Sequence, residues 1–240
     1  MIIIKVGATD STNLHLKRML AETELEDLTV LVTDAQLKGR GQAGAQWISE
    51  PGKNLTFSVL KYFDALEASR GFLISQAVSL ALIDAFGRFG IPDLSIKWPN
   101  DIMSGHKKIC GILIENTIKG NSIVQAVIGI GININQASFS GLPHAASFSQ
   151  ITGTEYDLDS VLDVVLNSLR DGLVRLSDTD EEVPKMYDSN LFLKDREAEF
   201  KVDGNLVKGV IRGVTQAGKL ILEIDGSQCS FGMKEIVFKL

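Results

Sequence analysis

The amino-acid sequence predicts an α+β protein that ends in a small β-barrel. Three observations carry this. Apolar runs of strand length alternate with helical patterns as far as about residue 190. From Leu193 the pattern changes to short strands eight to ten residues apart, with turns between them. Hydrophobic residues fill 45% of the 240 positions, enough for one large domain or a medium domain with a small appendage.

Ile2–Val6 reads as a first strand. Asp10-Ser11-Thr12-Asn13, all helix-capping types, opens a helix carrying Leu16, Met19 and Leu20. Leu28–Thr33 is a second strand and Asn54–Leu60 a third, with a glycine-rich loop from Lys38 to about Gly52 between them. Arg70–Phe89 is a helix that is apolar on most faces and therefore buried. Leu94–Ile102 and Lys108–Asn116 read as a hairpin turning through Ser104-Gly105-His106. Ser122–Ile134 is a long apolar strand followed by a polar loop. Asp157–Leu176 is an amphipathic helix, with Val161, Val165, Leu169 and Leu173 at helical spacing. The tail turns at Asp203-Gly204, Ala217-Gly218 and Asp225-Gly226, and at about 45 residues is too small to stand alone. The pattern gives domains over 1–190 and 193–240.

Charge narrows the function. Against 30 Asp+Glu stand 24 Lys+Arg, a net charge of −6, so the chain is a poor generic polyanion binder. Phosphate chemistry must then rest on a local basic cluster. Two distant cysteines and three scattered histidines offer neither a disulfide framework nor metal-ligand spacing. The opening MIIIKV is too short for a signal sequence, and the uncharged stretch from Gly120 to Thr154 is broken by polar residues. A cytoplasmic protein without a membrane partner is expected.

Gly39-Arg40-Gly41-Gln42-Ala43-Gly44 matches the dinucleotide-binding glycine pattern, but a strand rather than a helix follows it. No Gly-Lys-Ser/Thr ends the loop, which excludes a phosphate-binding P-loop. Glycines allow close backbone approach, Arg40 suits a phosphate, and Trp47 either packs in the protein or stacks on a base. A second cluster, Lys97-Trp98-Pro99-Asn100-Asp101, precedes Lys107-Lys108-Ile109-Cys110-Gly111. Lys108 enters an apolar strand, and Gly111 leaves room beside it for a ligand. Asp101 caps a turn or meets Mg²⁺ through phosphates and water. Gly129-Ile130-Gly131-Ile132-Asn133 places glycines in a buried strand, a sign of close approach by a ligand or a neighbouring backbone.

Together with Asn54-Leu55 and Ile112-Leu113-Ile114-Glu115, these segments resemble the biotin–protein ligases in order and spacing over roughly residues 1–190. The resemblance implies a mixed β-sheet with packed helices, related to class II aminoacyl-tRNA synthetases, and an SH3-type barrel at the end. It implies activation of biotin by ATP to biotinyl-5′-AMP, with Mg²⁺, and transfer to a lysine of a biotin carboxyl carrier domain. By position, Ser11, Thr12 and Gln36 would hold the biotin ring, while Gly39 and Arg40 would close over it. Lys108 would contact the biotin carboxylate and the α-phosphate, with Gly111 letting the ligand lie on the strand. Trp47 and Asn133 would lie by the adenine, and Lys97 and Asp101 on the phosphate and metal side.

Two departures stand out. Gln42, Ala43 and Ala45 occupy loop positions where the family often has arginine or other polar residues. The pattern also begins at the first residues, so no DNA-binding domain, and no DNA partner, is expected. Lipoate–protein ligase shares the fold and the adenylation chemistry but lacks support here, because its arginine-rich triple-glycine motif is absent. A non-catalytic biotin- or nucleotide-binding module is opposed by the presence of both Arg40 and Lys108. Oligomeric state and the identity of the carrier are not legible.

Overall fold

The structure, a computed structural model, describes residues 1–176 and 181–239. Two sheets form. The larger has seven strands: β1 (Ile3–Thr9), β2 (Val30–Gln36), β3 (Leu55–Glu67), β4 (Leu94–Lys97), β5 (Asp101–Ser104), β6 (Lys107–Lys119) and β7 (Ser122–Ile132). Their order is β1-β2-β3-β7-β6-β5-β4. β1 and β2 run parallel and every other neighbouring pair antiparallel, so the sheet is mixed.

Alternation along each strand decides the layers. On β7, Ala126, Ile128, Ile130 and Ile132 join the main core, whereas Val127 belongs to a small cluster on the opposite face with Leu16, Leu31 and Leu60. The main core is covered by α2 (Phe72–Gly87), α4 (Leu158–Arg175) and α5 (Glu182–Ser189). The opposite face is covered by α1 (Thr12–Glu22), whose Leu16 joins Leu31, Leu60 and Val127, and carries the buried polar residues Thr56 and Ser58 beside this small cluster. The helical stretch Ala68–Gly87, which contains α2, is long and apolar enough to cross a membrane by length and composition, but ten residues of α2 are buried within the protein.

The tail forms β8 (Glu197–Val202), β9 (Asn205–Val214), β10 (Leu220–Ile224), β11 (Ser227–Phe231) and β12 (Ile236–Phe238). These make an antiparallel sheet of order β11-β10-β9-β8-β12. Its inward residues Phe200, Ile211, Leu220 and Leu222 are continuous with the main core. The seam also carries a hydrogen bond from Trp98 Nε1 to Gly218 O at 3.0 Å.

Three local expectations differ. Leu94–Ile102 is not one strand: it breaks at Trp98-Pro99-Asn100, and β4 folds back on β5. Proline cannot donate to a ladder, and the turn falls where it stands. Two helices lie where no helix was read, α3 (Phe148–Thr152) and α5. α3 has a capping box, Ser147 with Gln150, inside a segment read as loop. The two cysteines are free, with Cys110 buried and Cys229 exposed, and Leu240 lies outside the described residues.

Candidate active site

The polar face of the sheet is built by register. Ser58 of β3 lies opposite Gly129 of β7, and Thr56 opposite Gly131. On the other side, Leu113 and Gly111 of β6 face the same two glycines. These glycines make room for side chains of the protein itself. A Cβ on Gly129 would strike Asn13 Oδ1, and one on Gly131 would strike the Trp47 indole. A Cβ on Gly111 would lie 3.0 Å from the same indole and 3.3 Å from Lys108 Nζ. Close approach was expected of a ligand or a backbone; here the Trp47 ring lies on the strands.

A β-bulge brings Lys108 to this face. Ile102 pairs with Cys110, but the next residue, Met103, pairs with Lys108, leaving Ile109 as the extra residue. Ile109 and Cys110 therefore both enter the core, while Lys108 and Gly111 share the polar side. Lys108 Nζ sits 2.6 Å from Asp101 Oδ1 and 5.7 Å from the Trp47 ring centroid.

Two cavities meet at these residues. The first, about 210 Å³, is lined by Ser11, Thr12, Gln36, Arg40, Gly111 and Lys108, among others. Its polar groups are held by a connected network. Gln36 Oε1 accepts from the Thr12 backbone N–H at 2.9 Å, which turns its amide NH₂ to other partners. Ser58 Oγ lies 2.7 Å from Thr12 Oγ1 and 2.6 Å from Asn13 Oδ1. Asn13 Nδ2 donates to Glu115 at 2.8 Å and to the Leu113 carbonyl at 3.2 Å. Ser11 is the N-cap residue of α1 but does not cap it with its side chain. Buried and lining the cavity, it keeps its hydroxyl available there.

The second cavity, about 230 Å³, is lined by Lys97, Met103, Asn133, Phe139, Leu142 and His144, among others. Trp47, Asp101 and Lys108 line both cavities, and Asp101 is the one carboxylate among the described lining residues. Asn133 Nδ2 donates to the Ala146 carbonyl at 3.1 Å, so it fixes the loop that walls the cavity. Burial pushes the Lys97 ammonium below its ordinary value, and the Lys108 charge adds to this against the pull of Asp101.

The glycine loop folds as a small hairpin over the first cavity. The Gly41 N–H donates to the Ala45 carbonyl at 2.7 Å, and the Trp47 N–H to the Gly39 carbonyl at 3.1 Å. Gly39 lines neither cavity: a side chain there would strike the Trp47 carbonyl. Arg40 reaches to 3.6 Å from Glu115, which also takes Lys17 at 2.7 Å. Burial opposes ionisation of Glu115, but the hydrogen bonds from Lys17 and Asn13 and the nearby Lys17 and Arg40 charges hold it below the usual carboxylate range. Among the described residues the buried Trp47 Nε1–H has no hydrogen-bond partner. Among the described residues no group of three or more His, Cys, Asp or Glu could hold a metal ion.

Sequence reasoning gave no part to Asn13, Ser58 and Glu115, which the structure joins to the hydrogen-bond network beside the first cavity. A serine between the apolar residues Phe57 and Val59 of a strand was the available signal.

The site can place an anionic group on Lys108 from either cavity, with one chamber whose neutral side chains are fixed by hydrogen bonds beside Arg40, and one carrying Lys97, which among the described residues has no carboxylate within ion-pair distance. Comparison with known proteins gives the family and the fold. Residues 6–133 match the profile of the biotin/lipoate A/B protein ligase family. The chain is 27% identical over 221 residues to the bifunctional ligase/repressor BirA of Escherichia coli, covering 90% of this chain and 68% of the relative. It is 27% identical to a biotin–[acetyl-CoA-carboxylase] ligase of Mycobacterium tuberculosis, over 92% of this chain and 83% of that one. The structure superposes on a biotin protein ligase from Aquifex aeolicus in complex with biotin and ATP at a TM-score of 0.80, with 25% identity and 99% and 98% of the two chains covered.

Proposed function

The chain belongs to the biotin/lipoate A/B protein ligase family, and on that premise we propose that it activates biotin with ATP and transfers the biotinyl group to a lysine of a carboxylase carrier domain. The observation that carries this reading is Lys108 at the junction of two cavities. The first suits a neutral polar ring with a trailing carboxylate; the second suits a nucleotide. The names of the relatives favour biotin over lipoate.

In this reading a carboxylate oxygen of biotin attacks the α-phosphorus and the bond to the bridging oxygen breaks, so pyrophosphate leaves. Negative charge grows on the α-phosphoryl oxygens, and Lys108 stands where that charge develops. Asp101, 2.6 Å away, keeps the ammonium aimed until substrates arrive. Ser11, Thr12 and Gln36 orient the biotin ring. Arg40 and the loop of Gly39 close over the mixed anhydride and keep water from it. Trp47 and Asn133 flank the nucleotide and Lys97 meets its phosphates. Mg²⁺, carried on those phosphates, would meet Asp101 and supply further positive charge. The carrier amine then attacks the acyl carbon and AMP leaves.

The same reading relates residues 1–190 to the class II aminoacyl-tRNA synthetase fold and takes 193–240 as an SH3-type barrel domain. It places the enzyme in the cytoplasm. The net charge of −6 argues against DNA as a partner. The test is ATP–pyrophosphate exchange by the purified chain with biotin, with lipoate or with neither, followed by transfer to a biotin carboxyl carrier domain. Biotin-dependent exchange and transfer are expected. Exchange that follows lipoate alone, or none with either acid, would overturn the reading.

A further inference from the structure

The C-terminal sheet grips one short turn of the catalytic sheet at two separate points. Trp98 donates to the Gly218 carbonyl in the β9–β10 turn, and Gly218 packs so closely on Phe72 that a side chain there would clash. One residue earlier, Lys97 Nζ lies 5.3 Å from the ring centroid of Phe238 in β12. The Phe238 ring is itself set edge-on against Phe200, with centroids 5.3 Å apart.

Lys97 is half-buried and lines the second cavity. It is paired in register with Asp101, yet that carboxylate is taken by Lys108 at 2.6 Å. Among the described residues Lys97 has an aromatic face as its partner and no carboxylate within ion-pair distance. The chemistry of that choice is specific. A carboxylate would orient the ammonium but would also neutralise it and compete with an incoming anion. An aromatic quadrupole orients the cation and leaves its full charge in place.

We propose that Phe238 is a positioning residue for the nucleotide chamber: its ring holds the Lys97 ammonium toward the cavity, so that the C-terminal sheet sets affinity for the ATP phosphates. This rests on the reading of the site as an ATP-dependent ligase. It gives the tail a task beyond packing, carried by one ring from the last strand.

The experiment uses the full chain with Phe238→Leu, Phe238→Tyr, Lys97→Met and the Phe238→Leu/Lys97→Met double variant. ATP binding is measured at equilibrium, and KM for ATP and for biotin by pyrophosphate exchange. Phe238→Leu should weaken ATP about three- to thirty-fold, leave biotin KM within about twofold, and be rescued by Phe238→Tyr. In the Lys97→Met background Phe238→Leu should change ATP binding little, because its effect passes through the ammonium. Unchanged ATP affinity in Phe238→Leu would overturn the proposal. So would equal loss of both substrates with a lowered Tm, or an undiminished effect without Lys97. Should Phe238→Leu fail to fold, the Tyr variant and Lys97→Met still decide: full ATP affinity in Lys97→Met overturns it. Exchange activity of the unaltered chain is read separately, so loss of the ligase reading would appear there, while ATP binding still tests Phe238.

Discussion

The two cavities that meet at Lys108 are built on opposite principles. In the first, Thr12, Asn13, Gln36 and Ser58 spend hydrogen bonds on one another and on backbone groups, so donors and acceptors are fixed before a ligand enters. In the second, Lys97 faces an aromatic ring and, among the described residues, no carboxylate but Asp101 lines the walls. A neutral polar ring is recognised by direction, and a misaimed dipole is worth little, so its chamber must be stiff. A polyphosphate is recognised by charge, which acts over distance and tolerates adjustment, so its chamber needs cations that are free. Trp47 and Lys108 belong to both walls, and in the function proposed above the reacting atoms meet at that border.

The largest effect is expected at that border. Lys108→Ala should lower the rate of biotinyl-AMP formation by about 10²–10³, the usual loss when a preorganised donor at a developing charge is removed. Single-turnover adenylate formation is the measurement. A variant within a few-fold of the unaltered rate would mean that the two chambers do not meet at this residue.

Next comes the stiffness of the first chamber. Ser58→Ala removes the hydroxyl lying within 2.7 Å of Thr12 and 2.6 Å of Asn13. Leaving a buried polar partner unsatisfied costs about 1–3 kcal/mol, and part of that should appear in binding. Biotin KM should rise about ten-fold while ATP KM stays within twofold. If both constants rise together, the contrast between a networked and an ionic chamber fails.

Legibility in the sequence divides along the same line. Lys97, Asp101, Lys108, Arg40 and Trp47 stood out because charged or aromatic residues among glycines and apolar strands carry a signal in one dimension, and the fold does gather them around the cavities. The network did not stand out. Ser58 meets Asn13 across 45 positions and Asn13 meets Glu115 across 102, and nothing local marks such pairs. The glycines of β7 were read as space for a ligand or a neighbouring backbone, yet Gly129 accommodates Asn13 and Gly131 accommodates Trp47; a missing Cβ tells that something comes close, not what. Long strands and the core helices followed from period, whereas α3 and α5, 5 and 8 residues long, were too short to set one.

A smaller change concerns the lid of the first chamber. Gln42 lines that cavity and is neutral where arginine is frequent among relatives by the resemblance above. Gln42→Arg should slow release of biotinyl-AMP about ten-fold, since a charge-assisted hydrogen bond contributes about 1.5–3 kcal/mol and a partly exposed one less. Filter-binding release rates decide it. An unchanged rate would show that a charge at position 42 does not reach the adenylate, and that the network with Arg40 and Lys108 holds it without help from this position.

The smallest effect serves as a control on both chambers. Asp188 lies on the seam between α5 and β9, outside either cavity, with its Oδ1 accepting the Val214 N–H at 3.1 Å. Its other oxygen presses on Gly213, where a Cβ could not fit. Burial pushes its carboxyl up to about 6, against the Val214 hydrogen bond and the Lys194 charge, which act the other way. A folded-state value raised above the unfolded one means stability that is present in full below the usual aspartate range and is lost as pH rises through about 6. At neutral pH the half-buried carboxylate therefore costs about 1 kcal/mol after allowance for solvent screening. Asp188→Asn keeps an acceptor for Val214 and removes the charge. Its Tm should exceed that of the unaltered chain by a few degrees at pH 8, with the difference shrinking toward pH 5. Taking the difference between the two proteins cancels the opposite trend from Asp10 and Glu115, whose lowered values withdraw stability as pH falls. Both KM values should stay as they are. A pH-independent difference would assign the effect to packing against Gly213, and a shift in ATP KM alone would mean that this seam, like Phe238, acts on the ionic chamber.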